Sequence, residues 1–144
     1  MESTLRTLRI STEQKQELID VTSAVAGAVR ESGVQHGFVG VYSQHTTAAL
    51  FVSERQAALM DDVLAFMSRV VPDGLAYKHN SPEFSDCDRQ NAASHLRSLL
   101  LNHSVMVPVV EGKPALGVFQ SILLAEFDGP RQRTLQVQVL GNAL

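Results

Sequence analysis

The sequence predicts an α+β fold, formed by one domain that spans residues 1–144. Its length of 144 residues, with 44% hydrophobic residues, fits a single domain that buries a substantial core. Segments with helical spacing of apolar residues lie between strand-like segments, and the C-terminal third reads almost entirely as strands. The predicted order is β-α-β-β-α-α-β-β-β, which indicates a sandwich of helices and mostly antiparallel strands.

The N-terminal segment is predicted to be a strand followed by a long helix. Residues 4–10 read as the strand. Ser11 and Gln14 have the spacing of a capping box, in which each side chain bonds to the other residue's backbone N–H. Apolar residues then recur at helical spacing up to Gly33, a residue that ends helices. We therefore expect helix one over residues 12–32.

Two strands and a second helix are predicted next. Residues 37–43 are rich in β-branched and aromatic residues, and residues 46–52 continue as a strand after a polar break. Ser53 and Gln56 form a second possible capping box. The amphipathic helix that follows is expected to end just before Pro72, because proline disfavours helix in the preceding residue.

The second half is predicted to hold a long loop, a short helix and three strands. Residues 72–90 show no periodicity, and a loop of this length within a domain is often functional. Asn91 is a candidate N-cap for helix three. Residues 116–127 are nearly all apolar, so we expect them to form a strand buried on both faces. The remaining predicted elements are the helix 92–101 and the strands 104–110 and 134–139.

Composition excludes some partners and indicates a cellular compartment. The net charge is −3 and the cations are not clustered, which argues against nucleic acid and against binding to a membrane surface. No apolar run approaches the roughly 20 residues of a membrane helix. Cys87 is the only cysteine and suits a reducing compartment. The expectation is a cytoplasmic protein.

Three histidines, His45, His79 and His95, are the candidate metal ligands or anion-binding groups. His45 follows a predicted strand, His79 lies in the long loop, and His95 lies in helix three. They are 34 and 16 positions apart, which matches no local metal-binding motif. Each can equally be a hydrogen-bonded structural residue or, for His79, an exposed one. An acidic residue of the loop, Asp86 or Asp88, could orient His79.

A second group of polar residues could form a pocket. Arg131 and Arg133 follow an Asp-Gly-Pro turn, and arginine suits phosphate or carboxylate. Gln120 interrupts an apolar segment, where a buried amide must be paired. Glu54 is expected in the first turn of helix two, where the helix dipole favours a carboxylate. Ordinary surface or structural roles explain each of these residues as well.

Eight short motifs follow one another along the chain. They lie at 44–50 (QHTTAAL), Glu54, 71–72 (VP), 77–79 (YKH), 91–96 (NAASHL), 107–109 (VPV), 117–120 (GVFQ) and 128–131 (DGPR). In this order they resemble the motifs of the YjbQ family of secondary thiamine-phosphate synthases. The resemblance covers nearly the whole chain, and the combination of motifs is specific although each is weak alone. Where the family usually has Gly-Thr-Trp-Gln, this chain has Gly-Val-Phe-Gln.

The resemblance implies a fold, an assembly and a site. It implies an α/β sandwich that forms a homotrimer. It implies that His45, His79 and His95 match a three-histidine metal site, and that Glu54, Gln120 and Arg131 match catalytic pocket positions. The implied metal is divalent: three imidazoles favour zinc, whereas magnesium would suit pyrophosphate chemistry.

Three functions remain open from the sequence. The resemblance implies a low thiamine-phosphate synthase activity, which joins hydroxymethylpyrimidine pyrophosphate to thiazole phosphate. Three histidines with one open position would also suit a zinc-dependent hydrolase of unknown substrate. The third possibility is a non-catalytic trimeric protein that binds a small anion. The expected partner is a small anionic or phosphorylated substrate, with neither nucleic acid nor a membrane.

Overall fold

Eight strands and three α-helices are present in the computed structural model, which describes residues 1–144. A 3₁₀ turn at Lys78–Asn80 lies within the predicted long loop. The strands are β1 Glu2–Ser11, β2 Glu17–Asp20, β3 His36–Ser43, β4 Ala48–Ser53, β5 Ser104–Val110, β6 Lys113–Pro114, β7 Ser121–Glu126 and β8 Gln132–Asn142, and the helices are α1 Thr22–Ser32, α2 Ala57–Val70 and α3 Ala92–Leu100.

The strands form two antiparallel sheets, so the predicted α+β class with mostly antiparallel strands is confirmed. The larger sheet has the order β1-β8-β3-β5-β6, and the smaller one has the order β2-β7-β4. In the larger sheet β8 lies between β1 and β3, paired along most of its length. In the smaller sheet β7 is the central strand.

The main core lies between the two sheets and helix α1. The alternation predicted for β8 is confirmed, since Leu135, Val137 and Val139 are fully buried. They pack with inward residues of β3 and β5, with Leu50 and Leu124 of the smaller sheet, and with α1. This cluster of 17 buried residues holds the smaller sheet in place, and the ends of β4 and β7 carry the polar site described below.

The predicted first helix is wrong in its N-terminal half. Residues 17–20 form strand β2, which pairs with β7, and α1 begins only at Thr22. The predicted capping box does not form; instead the backbone N–H of Gln14 donates to the Glu17 carboxylate at 2.8 Å. The helix starts where the Asp20 carboxylate accepts a bond from the Thr22 backbone N–H at 2.9 Å. Strand pairing therefore overrides the helical spacing of Leu18 and Val21.

The predicted buried strand 116–127 is too long. Only Ser121–Glu126 is strand, and residues 117–120 form an exposed turn in which the Val118 side chain is 95% exposed. Gln120 is not the buried amide that was expected. Its side-chain oxygen accepts a bond from the Gly117 backbone N–H at 2.8 Å and closes the turn.

Helix α2 begins later than predicted. Its N-cap is Gln56, whose side chain accepts a bond from the Leu59 backbone N–H at 2.8 Å. Ser53 is instead the last residue of β4. Glu54 therefore lies before the helix rather than in its first turn.

We predict that Gly37→Ala will destabilise the protein strongly. Gly37 pairs with Gly141 between β3 and β8, and a methyl group at Gly37 would overlap the backbone of Leu140 and Gly141. The backbone must then shift, so the expected loss is about 2–4 kcal/mol of unfolding free energy. Urea denaturation measures it. Gly40→Ala, in the same strand, is the matched control because no atom lies within 4 Å of its added methyl; equal losses in the two variants would contradict the argument.

Candidate functional site

Two of the predicted histidines meet at one cleft. The His79 and His95 rings lie edge to face, with centroids 4.9 Å apart and planes at 79°. His79 comes from the 3₁₀ turn and His95 from α3, and both are partly buried. We call their surroundings the histidine cleft, a cavity of about 340 Å³ lined by Tyr77, Lys78, His79, Ala92, His95 and Leu96.

The hydrogen bonds of His79 determine which ring nitrogen carries its proton. His79 Nε2 lies 2.9 Å from Asn91 Oδ1, and Asn91 Nδ2 donates to Asp128 Oδ2 at 2.8 Å. A carboxylate only accepts, so it fixes the orientation of the amide and leaves Oδ1 facing His79. His79 therefore donates from Nε2. In the neutral ring the lone pair is then on Nδ1, where it would be free to bind a metal or take a proton.

His95 is held as a neutral ring at physiological pH. Burial is the main factor that lowers the pKa of His95, and the neighbouring His79 lowers it further. The charge of Asp128 and, to a smaller extent, the backbone of Thr46 oppose these effects by stabilising the protonated ring. The histidine cleft thus presents two adjacent imidazoles, of which at least His95 is neutral near pH 7.

Asp128 is the centre of the polar network behind the cleft. Its carboxylate is buried and accepts bonds from Lys15 Nζ at 3.0 Å, Arg89 Nε at 3.0 Å and Arg131 Nη2 at 3.1 Å, besides Asn91. Burial disfavours the charged form, but hydrogen bonds from Arg89, Asn91 and Lys15 outweigh it and hold the pKa of Asp128 well below its usual range. Three cations surround one anion, so the cluster has a surplus of positive charge.

A second buried ion pair, Glu126–Arg133, lies beside this cluster. Arg133 bonds to both oxygens of Glu126 and donates to Thr47 Oγ1 at 2.8 Å. Burial raises the pKa of Glu126, whereas the bonds from Arg133, from Thr12 and from the Asp128 backbone lower it and prevail. The pair is fully satisfied and inaccessible, which is typical of a structural element.

The hydrogen bonding of His45 differs from that of the other two histidines. Its Nε2 accepts a bond from the Thr134 backbone N–H at 2.8 Å, so the neutral ring must carry its proton on Nδ1. Burial lowers the pKa of His45, and the charge of Arg133 lowers it further, which keeps the ring neutral. In this arrangement neither ring nitrogen of His45 has a free lone pair for a metal.

A metal fits only part of the predicted three-histidine set. The structure contains no group of three or more His, Cys, Asp or Glu side chains placed to hold a metal ion. His79 does satisfy a common feature of zinc ligands, since its ring bonds to Asn91 on one side. A zinc ion would thus have His79 and His95 as ligands, without His45.

The predicted catalytic residues Glu54, Gln120 and Arg131 are not brought together. Arg131 joins the Asp128 cluster. Glu54 and Gln120 are exposed and adjoin the paired residues Ser53 and Ser121, at the other end of the smaller sheet. The six residues of β4 separate that end from the histidines by about 20 Å.

Sequence reasoning missed the residues that orient His79. Asn91 was expected to cap α3, but its side chain makes no capping bond and links His79 to Asp128 instead. The orienting carboxylate is Asp128 rather than Asp86 or Asp88. The available signal was the charged segment that begins at Glu126. Its distance of 35 or more positions from Asn91 along the chain hid the contact.

The fold and the site can be compared with those of known proteins. Residues 6–142 match the family described as UPF0047 protein YjbQ-like. A UPF0047 protein of Methanothermobacter thermautotrophicus is 40% identical over 142 residues, covering 99% of this chain and 95% of that protein. The UPF0047 protein YugU of Bacillus subtilis is 33% identical, covering 95% and 99% of the two chains.

Solved structures agree with this assignment. A YbjQ-like protein of unknown function from Sulfolobus solfataricus has a TM-score of 0.90 at 32% identity, covering 98% of this chain and 99% of that one. A YjbQ/UPF0047 family protein from Clostridium acetobutylicum has a TM-score of 0.85 at 30% identity, covering 94% and 99%. The chain is an α+β sandwich protein with a histidine cleft at one end of its smaller sheet. It belongs to the YjbQ-like UPF0047 family, which confirms the resemblance found in its sequence. None of its helices has the length and apolar character needed to cross a bilayer.

We predict that His45→Gln will reduce the pH dependence of stability. The folded-state pKa of His45 is lowered, so the unfolded chain takes up the proton first as pH falls. The contribution of the neutral ring is complete above about pH 6.5 and is lost as pH falls below that value. Glutamine keeps an acceptor for Thr134 N–H but does not titrate. Urea denaturation from pH 7.5 to 5.5 should therefore show a smaller loss of stability in the variant. His36→Gln, at an exposed position, is the control, and an unchanged slope in His45→Gln would refute the prediction.

Proposed function

We propose that the protein is an enzyme whose histidine cleft acts on a small phosphorylated substrate. The observation that supports this most is the pairing of His79 and His95 beside a positively charged cluster. A concave site with two adjacent imidazoles, one of them neutral near pH 7, is an arrangement used for binding and proton transfer. The polar network fixes His79 from behind, which suits a group that must keep one orientation during a reaction.

The surrounding charge favours an anionic substrate. Lys15, Arg89 and Arg131 share the single carboxylate of Asp128, and Lys78 also lines the cleft. Neutralising three cations with one carboxylate leaves about two positive charges near the histidines. Arginine side chains of this kind bind phosphate oxygens through paired N–H groups. A phosphate or pyrophosphate group would supply the missing negative charge.

The first reaction we propose for this site is thiamine-phosphate synthesis, which the family resemblance implies. In this reaction the bond between the pyrimidine methylene carbon and the pyrophosphate oxygen breaks, and the thiazole nitrogen forms a new bond to that carbon. Pyrophosphate leaves with both electrons of the broken bond. Cations near the cleft, Arg131 among them, would stabilise the charge that develops on the leaving group.

A second candidate is a zinc-dependent hydrolase, and the hydrogen bonding of the two histidines favours it. Synthesis removes no proton from the thiazole, whereas hydrolysis requires a water molecule to lose one. His79 Nδ1 is free to accept that proton or to bind zinc. When bound, zinc would act as a Lewis acid and lower the pKa of a coordinated water.

We expect the purified protein to form thiamine phosphate and pyrophosphate in equal amounts from the two phosphorylated precursors. His79→Ala should lower the rate by at least about tenfold, because it removes a group in the cleft. His36→Ala is the matched control, since His36 is exposed at the far end of β3. Circular dichroism should show that both variants are folded.

Two other outcomes would change the assignment. If no thiamine phosphate forms, but a phosphoester is hydrolysed only with zinc and not by His79→Ala, the hydrolase is the correct function. If the protein binds pyrophosphate yet turns over neither type of substrate, the protein is a non-catalytic anion binder and the enzyme proposal is wrong.

We also propose that the protein forms a homotrimer through the outer face of its larger sheet. Large apolar side chains lie exposed on neighbouring strands there, among them Phe38, Tyr42, Met106 and Leu140, at 51%, 51%, 71% and 40% exposure. Phe38 is paired in register with both Pro108 and Leu140, so the residues form one continuous surface. A surface of this kind usually marks a site of association.

We also propose a cytoplasmic location for the protein, which the single cysteine suits.

We predict that Met106→Glu will dissociate the trimer into monomers. The substitution places a charge within an apolar interface, where a carboxylate cannot be solvated. Light scattering coupled to size exclusion should give three times the chain mass for the wild type and the single chain mass for the variant. Phe66→Glu, on the exposed side of α2, is the control and should stay trimeric. A monomeric wild type would refute the proposed assembly.

A further inference from the structure

A second, larger cavity lies far from the histidine cleft. We call it the distal cavity. It has a volume of about 530 Å³, within the range of about 300–1,000 Å³ typical of small-molecule sites. It lies between helix α1 and the hairpin formed by β5 and β6, and Val29, Val34 and Leu116 form its apolar side. Arg30, Gln35, Glu111 and Lys113 contribute polar groups.

The distal cavity and the histidine cleft are at opposite ends of β3. Gln35, which lines the cavity, comes just before this strand, whereas the histidine-bearing segment around His45 comes just after it. The eight residues of β3 span about 25 Å. One small molecule therefore cannot occupy both sites, and the two can be tested separately.

The cations of the distal cavity have no partner within the chain. Neither Arg30 nor Lys113 forms an ion pair with any carboxylate, including Glu111. The accessible apolar surface of the cavity comes from the partly exposed residues Ala26 and Leu116. Two unpaired cations beside an apolar surface match a ligand that has a negative head and a hydrocarbon body.

The rim of the cavity is held in an uncommon backbone conformation. Glu111 and Gly112 form the β5–β6 turn with φ of 51° and 76°. Asparagine or glycine is usual at the first of these positions, so the backbone of Glu111 is strained there. The Gly112 N–H donates to the Gln35 carbonyl at 3.0 Å, which fixes the turn against the start of β3. Local strain that the sequence retains is a feature of binding sites.

We propose that the distal cavity binds a small aliphatic carboxylate. Its carboxylate would lie between Arg30 and Lys113, and its hydrocarbon chain would cover Ala26 and Leu116. The nearby Glu111 favours a ligand with a single negative charge. Its own side-chain carboxylate repels a doubly charged phosphate more than a singly charged carboxylate. This ligand is separate from the phosphorylated substrate proposed for the histidine cleft.

Titration with hexanoate, followed by amide chemical shifts in a ¹⁵N-labelled sample, tests the proposal. Saturable shifts should appear at Ala26, Arg30, Gly112 and Lys113, with a Kd of about 1 mM or tighter. Arg30→Gln should weaken binding by about tenfold, because it removes a charged hydrogen-bond donor. Ala26→Leu should also weaken binding, since it fills the cavity without changing charge.

Two controls separate this site from general binding and from the histidine cleft. Arg69→Gln, an exposed arginine on α2 that forms no ion pair, should bind hexanoate like the wild type. His79→Ala should do the same, whatever its effect on the proposed enzyme activity. The proposal is overturned if hexanoate causes no saturable shifts, if 1-hexanol binds equally well, or if inorganic phosphate alone binds more tightly than hexanoate.

Discussion

The buried carboxylate of Asp128 is the feature on which the site depends. It lies at the end of β7, where a charge that lost its partners would be strongly destabilising. The structure supplies partners from three separate segments: Lys15 from the N-terminal loop, Arg89 and Asn91 from the segment before α3, and Arg131 from the start of β8. These bonds draw otherwise irregular segments to one point. Asn91 then positions His79, so the geometry of the histidine cleft follows from satisfying a buried charge.

The neighbouring Glu126–Arg133 pair extends the same principle into the interior. Both side chains are essentially inaccessible. Thr12 donates a further hydrogen bond to Glu126, and Thr47 accepts one from Arg133. The pair lies between β2, β4 and β8 and so fixes the end of the smaller sheet. The positive charge of Arg133 also lowers the pKa of His45. The buried ion pair and the neighbouring histidines are therefore coupled at this end of the smaller sheet. Only the outer residues His79, His95 and Arg131 are accessible.

Local sequence patterns predicted the elements whose environment is simple. The alternation in β8 was sufficient, because one face of this strand is buried and the other is not. The N-cap candidate Asn91 placed the start of α3 correctly. The predictions failed where a distant strand decided the outcome. Residues 17–20 have helical spacing but pair with β7. Val118 belongs to an apolar stretch of the sequence, yet it lies on an exposed turn outside the strand. The site shows the same limit. Three histidines were found, but the roles of Asn91 and Asp128 depend on a contact 37 residues apart in sequence.

The hydrogen bonds within the site constrain its chemistry more than the identity of its residues does. His45, His79 and His95 look equivalent in the sequence, yet His45 uses its lone pair to accept the Thr134 N–H, whereas His79 donates from Nε2 and keeps Nδ1 free. A metal or a transferable proton is therefore confined to the His79–His95 side. The cations around Asp128 would favour an anionic ligand in either proposed reaction, so they do not distinguish displacement by a thiazole from attack by water. A lone pair on His79 Nδ1 would distinguish them, because only attack by water yields a proton for it to accept.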